Sequence, residues 1–384
     1  MDLTQFLERH PNVRSFQKEM DQHQIFKLMN LSPMRLKYFD LFYDRTPDFD
    51  NLLKAQSEKS FTLVLNEKGK LLVVCSFIPT TRYRNGEKVN ICYICDMRTI
   101  TSRNGPLLWR KFYADFINES LLMGNKFNFT AVLSDNRDAN SNLIHPKKDR
   151  GFKYDQVITL NMVNVFGRKP YYFKKGISKW NPKSALKLDE EKILEFLEET
   201  NRKKLFGFCF KDFEWNLRKS TWANYSIEGF IVVEDKNGKI LSLCFPWSPG
   251  DFKRMRIDNL SFFLKFAIRV VNLLGFSLPL NKEVINTLYL THLAFYSELP
   301  KKERLAILES YVEYILTNKK KFKFHMISFA DEFGLMDLKS NFKKKFFIQK
   351  TKVNLFTVRP SHISENRFSQ EDLKNGIGFE MALV

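Results

Sequence analysis

Five cysteines, six histidines and a surplus of lysine and arginine are the side chains from which this 384-residue chain could build chemistry. Cys92-Tyr-Ile-Cys95 has the spacing of a metal or dithiol pair. No second pair follows it, and alternation along a strand would send its two sulfurs to opposite faces. Cys75, Cys209 and Cys244 lie within apolar, strand-like segments and read as small buried hydrophobes. Neither metal nor redox chemistry is expected from this set. His292, alone in the apolar run INTLYLTHL, reads as a satisfied core histidine. The lysine runs at 319–321 and 343–345 fit solvated helix ends, with phosphate contacts as the sharper alternative.

The charge balance bears on partners. Sixty-two Lys and Arg against 43 Asp and Glu leave a formal charge of +19, a positive potential that draws polyanions such as nucleic acid, phosphate-rich cofactors or acidic lipid. The lysines are spread along the whole chain, which describes a solvated surface better than a dedicated nucleic-acid groove. Apolar residues make up 44% of the sequence and 38 of them are Phe, so the chain can bury a large core and is not disordered. MDLTQFLERHPNVR lacks a basic start followed by an apolar run, and the chain is expected to be cytoplasmic. The apolar stretch at 260–280 is long enough to span a bilayer but carries Lys265, Arg269 and Asn272, so a buried or interfacial helix is expected there.

The elements that would position these groups come in two copies. FTLVLNEKGKLLVVC at 61–75 and FIVVEDKNGKILSLC at 230–244 share Phe61/Phe230, Val64/Val233, Gly69/Gly238, Lys70/Lys239, Leu72/Leu241 and Cys75/Cys244 without a gap. Each reads as a hairpin, because a Gly-containing polar break separates two apolar runs. A further hairpin at Arg84-Asn85-Gly86-Glu87 leads into VNICYICDM at 89–97, whose counterpart is INTLYLTHL at 285–293. The offset between copies has then grown from 169 to 196, so the second copy holds an insertion of 27 residues, placed within about 250–284.

A helix follows each of these strands, with stripes at Leu108, Phe112 and Phe116 and at Leu305, Leu308, Val312, Ile315 and Leu316. NKFNFTAVLSDN at 125–136 and KKFKFHMISFAD at 320–331 align through Lys126/Lys321, Phe127/Phe322 and Phe129/Phe324. A short helix and a last strand close each copy, around 151–163 and 346–358. Helical regions are expected before the hairpins at 32–56 and at 189–204, the second capped by Asp189. The expected organisation is therefore a first unit at 1–166, a linker at 167–184 and a second unit at 185–384. One undivided sheet would speak against it.

This order of elements resembles the GNAT acyltransferase superfamily. YICDMRTITSRNGPLLWRKFYADF is similar to that family's fourth strand, cofactor loop and following helix, and SDNRDANSNLIHPKKDRGF to its later N-x-x-A and Gly-Phe elements, through Asn136, Ala139, Gly151 and Phe152. The resemblance implies an α/β fold of two tandem GNAT-like domains, each a mixed, mostly antiparallel sheet flanked by helices. It also implies acetyl-CoA or another acyl-CoA as cofactor, its pyrophosphate held by a turn and a helix start. The positions implied to bind it are Met97, Thr99, Arg103, Asn104, Gly105, Leu107, Leu108 and Asn136. Pro106 and Leu108 stand where the family's two small residues stand, and the second copy has no Gly in the equivalent stretch.

Acyl transfer to an amine needs a base for the amine proton, a donor for the oxyanion and an acid for the thiolate. The resemblance implies Asp96 as base. The family's Tyr acid is replaced by Lys147, with His145 two residues earlier, so Asp96, Lys147 and His145 form the candidate catalytic set. The leading expectation is an N-acyltransferase acting on the amine of a small molecule or peptide, with the cofactor in the first unit and a degenerate second unit helping to shape the acceptor site. The alternatives are a Fem-type transfer from aminoacyl-tRNA, a catalytically retired binding module, and transfer at a membrane surface using the apolar insertion.

Overall fold

The computed structural model describes residues 3–31, 33–35, 40–100, 104–122, 124–146, 149–169, 179–273, 278–338, 341–364 and 368–383. Both expected hairpins form. Strand β1 (Phe61–Glu67) turns through Lys68 and Gly69 into β2 (Lys70–Arg84), which turns through Asn85 and Gly86 into β3 (Glu87–Thr99). All four turn residues have positive φ, between 50° and 83°, as a tight two-residue connection between twisted strands requires. Helix α1 (Asn104–Leu122) follows, then β4 (Phe127–Leu133) and the long β5 (Phe152–Arg168).

The second half repeats this order. Helix α2 (Glu190–Arg202) starts at Asp189, whose carboxylate accepts from the Glu191 amide at 3.1 Å. Strands β6 (Ile231–Glu234) and β7 (Ile240–Trp247) form its hairpin. The insertion contains helix α3 (Phe262–Leu273), and β8 (Thr287–Phe295), α4 (Lys301–Thr317), β9 (Met326–Asp331) and β10 (Phe346–Pro360) complete the copy.

Among the described residues, thirteen strands join in one sheet, whose principal order is β1-β2-β3-β4-β10-β5-β9-β8-β7-β6. The sheet is continuous, which is the outcome that would speak against two separate units, yet it divides into matching halves. In each, a hairpin leads to a strand that pairs in parallel with the next one in its own half: β3 with β4 and β8 with β9. The last strands are exchanged. β10 of the second half pairs with β4 of the first, β5 of the first pairs with β9 of the second, and β5 and β10 pair with each other along their whole length. Duplication thus survives in a sheet that local periodicity cannot show to be shared, because the exchanged pairings join residues about 160 to 230 positions apart.

Alternation sorts the first half's strands into two layers. Leu63, Leu65, Val73, Phe77, Cys92 and Ile94 pack with Trp109, Phe112 and Phe116 of α1. Val64, Val74, Ile78, Ile91 and Tyr93 point to the opposite face, into a core that includes α2 and the last residues of the chain. Cys92 and Cys95 accordingly face opposite layers, and all five cysteines are free. α4 occupies the α1 position on the second half.

Two expectations are corrected. Residues 32–56 are not one helix: Asp40–Asp44 is a strand and, among the described residues of this range, only Asn51–Lys54 is helical, since Pro33 and Pro47 interrupt a helix and Leu41, Tyr43 and Arg45 alternate. The pairs Phe127/Phe322 and Phe129/Phe324 are not equivalent in space. Lys319–Phe322 is a short helix ended by Lys323 at φ 45°, and it is Met326 that pairs with Thr287 as Phe127 pairs with Ile91.

Candidate active site

Parallel pairing between β3 and β4 covers only Ile91–Tyr93 against Phe127–Phe129. Beyond Tyr93 the two strands diverge. β3 is then interrupted on its other side: Val74 pairs with Arg98 and Ser76 with Cys95, so Asp96 and Met97 form a bulge in which Asp96 takes φ 52°. A bulge leaves residues out of the ladder and re-aims their backbone and side chains. The second half repeats the device at the equivalent position. β8 and β9 pair only at Thr287–Tyr289, and β8 bulges opposite Leu243–Phe245, where His292 takes φ 55°.

The two bulges have different surroundings. A cavity of about 380 Å³ enters the gap at the first. Tyr113 of α1 and Tyr154 of β5 line it on one side, their hydroxyls 3.2 Å apart, and Tyr93, Cys95, Asp96 and Met97 line its β3 wall. It continues past β5 and β10, through Met162, Asn164, Thr351 and Val353, to Tyr289 and Met326 where β8 and β9 part. The roof is a small four-stranded sheet that pairs Asp40–Asp44 with Arg254–Asp258, together with α3. Leu41, Tyr43 and Arg45 come from the first half's strand, Met255 and Ile257 from the insertion, and Leu264 and Ile268 from the inner side of α3. The insertion is therefore part of a lid over the cavity.

Polar groups gather at the Asp96 end. Arg45 is 4% exposed, and its Nη2 donates to both Asp96 oxygens, at 2.9 and 3.0 Å. Among the described residues its Nε and Nη1, both buried, have no hydrogen-bond partner. Lys253, behind Tyr43 and Tyr289, places its ammonium 5.7 and 5.8 Å from their ring centres. Burial, reinforced by the Arg45 charge and opposed by Asp96, brings Lys253 down from 10.5 to about 7. At the far end His325 accepts from the Asn286 amide through Nδ1 at 2.9 Å, and burial lowers its pKa.

The second bulge is filled instead of open. His292 Nε2 lies 2.7 Å from Arg218 Nη1 and 3.0 Å from the Tyr225 hydroxyl, while its Nδ1 lies 2.9 Å from Thr291 Oγ1. Glu380 accepts from the His292 amide at 3.1 Å and from Arg218 at 3.0 Å. His292 is thus the satisfied core histidine expected, with its pKa held well below the ordinary value first by burial and then by Arg218.

The candidate residues fall into three groups. Asp96, Met97 and Asn136 line the cavity. Asn136 also caps the short helix at 137–139, its side-chain oxygen accepting from the Ala139 amide at 3.1 Å. Asn104, Gly105, Leu107 and Leu108 form the first turns of α1, with Gly105 buried and the two leucines exposed, and Gly105, Leu107 and Leu108 stand outside the cavity lining. Thr99 at the end of β3 and His145 are exposed and do not line it either. Arg103 and Lys147 lie outside the described residues. Sequence reasoning missed Arg45 and the lid; their signal was the alternation of Leu41, Tyr43 and Arg45 and of Lys253, Met255 and Ile257.

No protein-family model and no curated protein matches this sequence. Solved structures do match. A Saccharomyces cerevisiae N-myristoyltransferase with bound myristoyl-CoA superposes with TM-score 0.56 at 14% identity, covering 96% of this chain and 84% of that one. A second structure of that enzyme with myristoyl-CoA gives TM-score 0.56 at 13% identity, over 96% and 89% of the two chains. A third, with myristoyl-CoA and inhibitors, gives 0.54 at 12%, over 91% and 80%. The fold is a tandem GNAT fold. At this identity the likeness establishes architecture, and chemistry has to be argued from the cavity.

Proposed function

We propose that this chain is an acyl-CoA-dependent N-acyltransferase whose donor sits in the first half. The observation that carries the reading is the cavity entering the gap between β3 and β4 beside the Asp96–Met97 bulge. At about 380 Å³ it is roughly ten times the ~30 Å³ share of one water and lies within the range of ligand pockets. An acetyl group would leave most of it empty, whereas an extended acyl chain would use its apolar walls. The myristoyl-CoA bound by the matching structures supports a longer chain. The CoA pyrophosphate is assigned to the start of α1, where a first helical turn offers backbone N–H groups; Pro106 removes one of them.

In the reaction the neutral amine nitrogen attacks the thioester carbonyl, the C–N bond forms and the C–S bond breaks, and the proton lost by nitrogen balances the one gained by the departing sulfur, so that amide and free CoA thiol result. Asp96 is proposed to receive the amine proton, and backbone amides of the bulge to face the developing oxyanion. The second half, with its own bulge filled, is proposed to supply acceptor walls at Tyr289 and His325. The boundaries at 1–166, 167–184 and 185–384 are kept as the proposed domain division, with the C-terminal strands exchanged across it.

Amine-dependent release of CoA thiol from myristoyl-CoA tests this reading. Asp96→Asn is expected to slow release about 100-fold or more, the usual scale for losing a general base, with folding checked by circular dichroism. Binding of acyl-CoA with no release to any amine would establish the retired binding module instead. Salt-dependent tRNA binding without acyl-CoA binding would establish the Fem-type alternative.

One surface feature favours placing the reaction at an anionic membrane surface. Among the described residues no helix is long and apolar enough to cross a bilayer. On α3, however, Phe262, Phe263, Phe266, Val270 and Leu273 are exposed, Phe262 and Leu273 each at 87%. At about 100° per residue they share one arc, bordered on one side by Lys265 and Arg269 and opposite the cavity-lining Leu264 and Ile268. An apolar arc edged by cations is the pattern of an interfacial helix, and the +19 charge complements anionic lipid. Co-sedimentation with phosphatidylglycerol vesicles, lost in a Phe262→Ser/Phe266→Ser variant, is expected. Equal binding to phosphatidylcholine, or none to either, contradicts it.

A further inference from the structure

A surface helix of a globular protein ordinarily carries one apolar stripe, turned to its core, and a polar face opposite. Helix α3 departs from that pattern. Its exposed arc continues from Phe263 through the half-buried Ala267 and Val271 to Leu264 and Ile268 inside the cavity. The apolar surface therefore runs around about 240° of the helix, and Lys265, Arg269 and Asn272 occupy the remaining edge.

The helix is also lightly held. Ile268 is its one buried side chain. Among the described residues, no hydrogen bond or ion pair joins Phe262–Leu273 to a residue outside the insertion. Ser261 Oγ accepts from the Leu264 amide at 3.3 Å, and Asn272 clasps Leu278 through both ends of its side-chain amide, at 2.7 and 2.9 Å. Leu260 before the helix donates to Asn281 after it at 3.1 Å. The two ends of the segment are thus fastened to each other, and the helix rests on the body through apolar side chains set over a cavity. Elements with few buried contacts are the ones that open at low free-energy cost.

We infer that α3 is a membrane-operated lid: closed in water, it swings out when its apolar face enters an anionic bilayer, and the cavity then opens toward the lipid and takes its acyl chain from there. The inference rests on the acyltransferase reading at a membrane surface and adds the regulation of that site. In water, an outward swing exposes Leu264, Ile268 and the walls they cover, such as Leu41 and Ile257, so the lid stays shut. Against a bilayer the same swing sets the whole apolar face among acyl chains, while Lys265 and Arg269 stay at the headgroups. Surroundings that favour the open form over the closed one shift the population toward it. Long acyl chains partition into the same bilayer, so donor and open cavity meet in one place.

Labelling of an Ile268→Cys variant by N-ethylmaleimide reads the lid without requiring turnover, because position 268 is buried only while the lid is shut. Phosphatidylglycerol vesicles are expected to raise its labelling rate about tenfold or more over buffer, in proportion to the open population. Phosphatidylcholine vesicles are expected to leave the rate unchanged, and adding Phe262→Ser/Phe266→Ser to the same chain is expected to abolish the rise. Cys95, half-buried in the cavity wall, gives the same readout in the natural chain and decides the matter where the variant fails to fold. Unchanged labelling on phosphatidylglycerol vesicles that co-sediment with the chain overturns the lid and leaves the membrane surface standing. Absence of co-sedimentation overturns both, and an equal rise with phosphatidylcholine overturns the anionic trigger. Faster labelling without CoA release from myristoyl-CoA to any amine upholds the lid and refutes only the transferase.

Discussion

Lys253 offers a prediction whose size follows from its burial. Its side chain is 4% exposed, and the cost of burying a cation brings its pKa from 10.5 to about 7. Between those values the unfolded chain holds a proton that the folded chain has released, so stability must rise with pH across the window. Below about pH 7 both states are protonated and the penalty is complete; above 10.5 neither is and it has vanished. At 1.36 kcal/mol per pKa unit the full penalty is about 5 kcal/mol, of which about 3 kcal/mol is relieved between pH 7 and 9.5. Lys253→Met keeps much of the shape and removes the titration. Urea unfolding of both chains at several pH values, subtracted one from the other, cancels the groups they share. The variant's advantage is expected to shrink by about 3 kcal/mol from pH 7 to 9.5. A difference that stays constant, or grows with pH, refutes the assignment of a buried and largely desolvated amine.

Three further outcomes follow from the same structure. Glu380→Ala leaves the fully buried Arg218 with Glu214 as its remaining ion-pair partner, and urea unfolding is expected to show a loss of about 3–5 kcal/mol; less than about 1 kcal/mol would mean that this network does not anchor the chain's last residues. Ile268→Trp, projecting from α3 into the cavity, is expected to weaken binding of myristoyl-CoA about tenfold or more in calorimetry while sparing acetyl-CoA, since extra bulk in a packed site costs about 1–3 kcal/mol; equal loss of both ligands would place the acyl chain elsewhere. Burial pushes the Cys92 and Cys209 thiols up to about 12 and raises Cys75, Cys95 and Cys244 as well, so the native chain is expected to react with a thiol-specific disulfide reagent only on unfolding, and rapid native labelling would contradict it.

Much of this fold was legible because its signals are local. Gly69 and Gly86 mark turns, alternation marks β1 to β3, and Phe112 and Phe116 mark the buried face of α1. Copying those signals at an offset of 169, and of about 196 beyond the insertion, disclosed the duplication. Strand exchange was not legible, because β5 and β10 have the same pattern whichever neighbour they pair with. The alignment of Phe127 with Phe322 failed for a related reason: matching residue types carried no information about the helical turn that delays β9. At the site, Asp96 was implied by the resemblance to the GNAT superfamily and not by the local pattern, and the structure sets it in a bulge beside a cavity. Arg45 was one cation among 62, and only the roof's pairing with the insertion, about 210 residues away, gives it a buried position.

The most direct test of the central claim is a crystal structure of the full chain with myristoyl-CoA. The acyl chain is expected to run from the Asp96–Met97 bulge under Leu264 and Ile268, with the thioester carbon beside the bulge and the pyrophosphate at the start of α1. A ligand seated at the His292 bulge, or a cavity left empty while CoA binds elsewhere, would contradict the account.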